Sequence, residues 1–254
     1  MIKEIVIEWN FEPKNFFEAE TVINYTDYEV AISSGHAEAR LGPDYLDKVD
    51  MVVRALSQDL ESRFMAVQVM THEQYKLSKP SRYDLRLDGG RNGYFQVDSV
   101  VCTTSIGNVD LIQRDANGNI LSDTKQERID KKKRLAELAA KFRLKDASLD
   151  QMLRSYNASV SDPKNELIHL YEIRDAASKR FGNDSNTKKG LNISSSEWST
   201  LGRLANSEPL TQGRHRGQNP GILRDAETSE LEQARRIAAK IVENYLNYLE
   251  KESG

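Results

Sequence analysis

The chain has 254 residues, 38% of them hydrophobic and 30% charged, with a formal net charge of -3. This length admits one large domain or two medium ones with a core of ordinary size. The charge balance excludes a chain that is basic throughout, so any contact with nucleic acid requires a local basic patch.

The first half reads as strands. Residues 2–11 place Ile5, Ile7 and Trp9 at period two, alternating with Glu4, Val6 and Glu8. Residues 21–31 repeat the pattern and are rich in Val, Ile, Thr and Tyr. Gly42-Pro43 then breaks the chain. Residues 47–60 carry Val49, Val52, Val53, Leu56 and Leu60 at helical spacing, whereas 64–69 fits a strand. Residues 83–87 and 93–102 flank the hairpin signal Asp88-Gly89-Gly90, and 109–114 and 120–121 flank Asn117-Gly118-Asn119.

Arg82, Arg86 and Arg91 stand among Tyr83, Tyr94 and Phe95, the composition of a basic-aromatic face for single strands. Pleat parity puts Tyr83, Leu85 and Leu87 on one face and Arg82, Asp84 and Arg86 on the other, which reads first as core-in and charge-out. The half is therefore expected to be a docking, sensing or dimerising module with an unknown protein partner. Its single cysteine, Cys102, lies in an apolar run and reads as a core residue. One cysteine excludes an intramolecular disulfide and fits a reducing compartment.

Composition shifts near Thr124, where β-branched runs end. Residues 126–144 and 149–156 read as helices, and Lys131-Lys132-Lys133-Arg134 reads as a solvated helix face. Asp162-Pro163 opens a helix that runs to about Phe181, followed by a polar loop over 182–190. Ser194-Ser195-Ser196-Glu197 is a capping box before Trp198, Leu201, Leu204 and Ala205. Ser229-Glu230-Leu231-Glu232 reads as a second one. The last helix stacks Leu231, Ala234, Ile237, Ala238, Ile241, Val242, Tyr245, Leu246 and Leu249 on one stripe. The expected fold is α+β: a β-rich domain over 1–124 and a helical bundle over 125–254.

Between the last two helices runs Gln212-Gly213-Arg214-His215-Arg216-Gly217-Gln218-Asn219-Pro220-Gly221. Guanidinium groups on both sides of His215 disfavour its imidazolium, so a neutral ring is expected near pH 7. Glycines allow close approach of backbone to a ligand. Arginine forks suit phosphate, and the N-terminus of the last helix is expected to add an anion-friendly dipole. In a bundle, Glu172, Arg174 and Asp175 of one helix, Arg203 and Asn206 of the next, and Arg224 before the last could meet this loop as binding or orienting residues.

The stretches Leu170-Tyr171-Glu172-Ile173-Arg174-Asp175, 198–206, and Arg214-His215 before a long terminal helix resemble the HEPN superfamily over about 162–250. The resemblance implies a helical bundle that commonly dimerises, and a place among prokaryotic toxins, anti-phage proteins and RNA-processing factors. Its active members resemble metal-independent ribonucleases that use an arginine and a histidine a few residues apart. Here Arg214 adjoins His215, and residues 204–214 separate Arg203 from it.

Three readings of the loop follow. As a ribonuclease, His215 would take a ribose 2′-hydroxyl proton while Arg214 and Arg216 stabilise the phosphate charge. As a binding module, the same loop would hold RNA or another anion without chemistry. As a structural element, it would be an internal salt-bridge node. No cofactor and no metal is expected, since His36, His72, His169 and His215 lie far apart in sequence. No apolar run reaches the ~18 residues of a membrane span and no signal-peptide apolar stretch opens the chain, so a cytoplasmic protein without membrane contact is expected.

Overall fold

A computed structural model describes residues 1–94, 110–114, 119–218 and 221–254. Cys102, Phe95, most of the strand expected over 93–102, and the centre of the second hairpin turn lie outside the described residues. The architecture is α+β: an antiparallel sheet followed by a helical region. Backbone contacts divide the chain into two compact units, Met1–Glu61 with Tyr75–Arg134, and Ser62–Gln74 with Leu135–Gly254.

The first unit is organised by β1 (Ile2–Glu12), β2 (Thr21–Asn24), β3 (Glu29–Ser33), β4 (His36–Leu41), β5 (Lys76–Leu77), β6 (Ser81–Arg86) and β7 (Arg91–Tyr94). Their order is β2-β3-β4-β1-β6-β7, with β5 also pairing β1. β8 (Ile112–Arg114) and β9 (Ile120–Asp123) form a separate antiparallel pair. The alternation read in residues 2–11 does its expected job: Ile5, Ile7, Trp9 and Phe11 are buried on one face. Ala37, Ala39 and Leu41 of β4 and Val30 and Ile32 of β3 are buried as well. Helix α1 (Val49–Thr71) meets this face, for Trp9 donates its indole N–H to Ser57 Oγ at 3.3 Å.

Three sequence expectations change here. Residues 64–69 are not a strand but the continuation of α1. Phe64, Met65, Ala66, Val67, Gln68 and Val69 are all buried, and a helix buried all round loses the amphipathic period that marks a helix. The orientation of β6 is also reversed. Arg82 pairs with Ile7 and Asp84 with Ile5, so these charges share the face of the core, held by two mutual hydrogen bonds of 2.8 Å. Tyr83 lies on the other face under the Arg91 guanidinium, 3.5 Å from its ring centre. Finally, Lys132 is not part of a solvated face. It is buried in α2 (Thr124–Phe142), bonded to Phe16 O at 3.0 Å and to Glu18 at 2.5 Å. Burial raises the Glu18 pKa, but hydrogen bonds and charge from Arg128 and Lys132 outweigh it and bring it down to about 2.

The second unit is a helical bundle of α3 (Ala147–Ser161), α4 (Glu166–Phe181), α5 (Asp184–Gly190), α6 (Ser195–Gly202) and α7 (Thr228–Glu252), with the ends of α1 and α2. The stripe on α7 is buried from Ala234 to Leu249 and packs with Leu149, Leu153, Leu170, Ile173 and Leu201 in one core. The 182–190 segment, expected as a loop, contains α5, because the Asn183 side chain caps it by accepting from Asn186 N at 2.9 Å. The Ser194/Glu197 capping box is present as expected. The second box uses Glu227 and Glu230, not Ser229 and Glu232, and starts α7 at Thr228.

Charge is also buried in this unit. Glu166 is 1% exposed and accepts a bidentate pair from Arg235 at 2.5 and 2.8 Å. His72 stands beside it, Nε2 to Oε1 3.5 Å, with its ring edge against Tyr156 and its Nδ1 buried without a hydrogen bond.

Candidate functional site

Helix α4 carries the site. Leu167, Leu170, Ile173 and Ala177 turn into the core, which leaves Tyr171, Arg174, Asp175 and Ser178 on the adjoining face at three- and four-residue spacing. Gly182, at φ 86°, ends the helix in the left-handed conformation that glycine adopts without strain.

The loop after α6 comes back onto this face. Its neck is pinned by Thr211 N to Arg224 O at 2.9 Å and Arg224 N to Pro209 O at 3.0 Å. Arg214 N donates to Ala205 O at 2.8 Å, fastening the loop to the helical turn Arg203–Ser207. Gly213 makes that approach feasible: a Cβ there would stand 3.2 Å from Leu210 O and 3.3 Å from Ala205 O.

The Arg214 guanidinium lies 4.5 Å from the Tyr171 ring centre, and its Nη1 is 3.4 Å from Asp175 Oδ2. Both partners are open to water, at 38% and 55% side-chain exposure, so this contact is a weak one. Burial pushes the Asp175 carboxyl above its ordinary range, and the charges of Arg214 and Arg174 offset it only in part.

Arg174 is a different kind of arginine. It is 15% exposed, donates to Asp184 at 3.0 Å, and lies 4.7 Å from the Trp198 ring and 5.2 Å from Tyr171. Gly202 leaves room for its head, since any Cβ there would run into the guanidinium. Arg216 turns inward, with Nε to Gly213 O at 3.0 Å and its Nη2 to Asn165 Oδ1. His215 is half-buried, and its side chain has no hydrogen bond or ion pair among the described residues. Its carbonyl accepts from Gln218 N at 3.0 Å.

The remaining residues singled out from the sequence engage other partners. Glu172 accepts from Ser155 at 2.9 Å. Arg203 donates to Glu208 at 2.6 Å. Arg224 forms a two-pronged pair with Glu230 at 2.7 and 2.8 Å. Asn206 is half-buried, with no side-chain partner among the described residues. The N-terminus of α7 is occupied by its own carboxylates: the Glu227 side chain caps the helix, and Glu230 accepts from Glu227 N at 2.9 Å. The dipole expected there for a ligand is therefore already answered within the chain.

The structure thus gathers Tyr171, Arg174, Asp175 and Arg214. From the sequence, Tyr171 is marked as a member of the stretch that resembles the HEPN superfamily. Its spacing to Arg174 was the available signal for a ring between two cations. Asn219 and Pro220 of the loop lie outside the described residues. The chain matches no protein-family model, no curated protein and no solved structure.

Proposed function

We propose that the loop over 210–218 and the outer face of α4 form an anion-binding surface directed at RNA. One observation carries this reading: Arg214 is a half-exposed guanidinium stacked on an aromatic ring, and its carboxylate contact is long and solvated. Such a cation can exchange Asp175 for a phosphate oxygen at little cost, because a weak exposed pair is worth only about 0–1 kcal/mol. Arg203 and Arg224, by contrast, hold close carboxylate partners. Tyr171 backs the Arg214 guanidinium, whose plane is a surface on which a base can stack. The HEPN resemblance supplies RNA as the class of anion.

The observation that carries the reading concerns a cation and not a base, so binding is the proposal and cleavage is an outcome of the test. The test is fluorescence anisotropy with labelled single-stranded RNA in chelator, across a salt series. Arg214→Ala is expected to weaken binding about tenfold and to reduce the salt slope by about one. Arg203→Ala and His215→Ala should stay close to wild type. Failure of the wild-type protein to bind RNA would make the loop an internal salt-bridge node. Cleavage by wild type in chelator, lost in His215→Ala, would turn the reading to a metal-independent ribonuclease with His215 as base.

A further inference from the structure

We propose that the sheet of the first unit carries a divalent transition-metal site made by Glu8, His36 and Glu38, a zinc-class ion being its occupant. The inference is independent of the RNA reading and rests on the pairing of β1 with β4. That register sets Glu8 opposite Glu38 and Asn10 opposite His36. Cross-strand partners share a face and neighbours along a strand do not, so these four polar side chains stand together. Their neighbours Trp9 and Ala37 are buried on the other face, at 1% and 0% exposure. The Ser34–Gly35 turn, at φ 48° and 88°, delivers His36 to the start of β4. Phe11 N to Gly35 O at 2.8 Å ties that turn to β1.

The donor geometry is that of a cradle slightly wider than an ion. His36 Nε2 is 3.8 Å from Glu8 Oε1 and 3.9 Å from Glu38 Oε2, and one ligand atom from each residue falls within 4.8 Å of the others. Two ligands on a tetrahedral zinc, each at about 2.0–2.2 Å, stand about 3.3–3.6 Å apart. A contraction of a few tenths of an ångström closes the two His36 edges, and the carboxylate–carboxylate edge, within 4.8 Å, closes with a side-chain shift of up to about 1 Å. The donor set suits the metal class: one imidazole nitrogen with two carboxylates favours zinc and its first-row neighbours over magnesium or calcium, which take oxygen alone.

The surroundings are arranged as metal sites arrange them. His36 Nδ1 lies 3.3 Å from Asn10 Oδ1, and in the tautomer that donates Nδ1–H to this oxygen the Nε2 lone pair faces the two carboxylates. A lone pair and two anions converging on one point repel each other until a cation sits among them. Glu38 is steered by Arg40, whose Nε donates to Oε1 at 2.6 Å and so leaves Oε2 for the site. Arg40 is itself held by Glu4 at 3.1 Å. Tyr83 O–H donates to Glu8 Oε1 at 3.2 Å. Three protein ligands at half-buried positions leave a fourth coordination position open to water.

The experiment uses the full chain, stripped with chelator and titrated with zinc chloride by calorimetry, with histidine ring NMR signals followed in parallel. One zinc per chain is expected, with the His36 ring signals shifting as it binds and magnesium failing to compete. His36→Gln and Glu38→Gln should abolish uptake while leaving the metal-free melting temperature near wild type. Asn10→Ala, which removes only the group orienting the imidazole, should weaken binding about tenfold. Zinc uptake that persists unchanged in His36→Gln would overturn the assignment. So would the absence of uptake by wild type, which would leave the cluster a surface hydrogen-bonding group of the sheet. Should a variant fail to fold, the wild-type NMR titration still decides: His36 signals that do not move with zinc refute the site.

Discussion

Lowering the pH is expected to destabilise the helical unit through His72. This ring is mostly buried, 3.5 Å from Glu166, with an unbonded Nδ1. Burial disfavours its charged form, Arg235 adds repulsion, Glu166 offsets part of both, and the pKa falls from 6.5 to about 4. A folded pKa below the unfolded one means that the unfolded chain binds more protons between these values. Stability therefore rises with pH through that window and is lost as pH falls through it. With an unfolded pKa near 6.5, the loss amounts to about 2 kcal/mol between pH 7 and pH 5, and about 3 kcal/mol by pH 4. Urea unfolding at a series of pH values measures it, with His72→Asn as the reference. Asparagine tolerates the left-handed backbone at this position, φ 51°, and does not titrate. Wild type should lose about 2 kcal/mol more than the variant over that first interval. Parallel pH profiles for the two proteins would refute the reasoning and show that the ring charges without cost in the fold.

Two further outcomes follow from the same kind of accounting. Glu18→Gln leaves the buried Lys132 ammonium without its carboxylate and is expected to cost about 2 kcal/mol at neutral pH by chemical denaturation. Because the Glu18 pKa is held near 2, its contribution is present above the unfolded value of about 4.5 and fades as pH falls toward 2, so the variant and wild type should converge in acid. Ser194→Ala removes the side-chain cap of α6, which accepts from Glu197 N at 3.2 Å. It should lower stability by about 1 kcal/mol, read as a shift in urea midpoint at unchanged slope.

Legibility in the sequence tracked how local each determinant is. The α7 stripe and the Ser194–Glu197 box were readable because the interacting residues lie within one or two helical turns. So was the alternation of β1, whose core face is set by strand period alone. β4 went unread because Ala37, Glu38, Ala39 and Arg40 have poor strand propensity, and only pairing with β1 and β3 makes them a strand. That gap also hid the Glu8, His36 and Glu38 cluster, whose members are scattered in sequence and meet through register. In the arginine loop, the sequence supplied the cations but not their partners. It set Arg214 and Arg216 beside His215 as candidate catalytic groups and Arg174, Arg203 and Arg224 around them as binding or orienting ones. The tertiary structure separates them: Arg174 is packed between Trp198 and Tyr171, Arg203 and Arg224 are closely paired, Arg216 is turned inward, and Arg214 is left half-exposed over a ring.

What the amino-acid sequence determined by itself was the division into a strand-rich half and a helical half, with the buried faces of β1 and α7. Periodicity and capping act over a few residues and need no distant partner. What only the tertiary structure decided was which face of β6 is buried, where α1 continues, and which carboxylate each guanidinium meets. Those outcomes depend on groups far apart in the chain, and a charge is spent or available according to the neighbour that packing brings within a few ångströms.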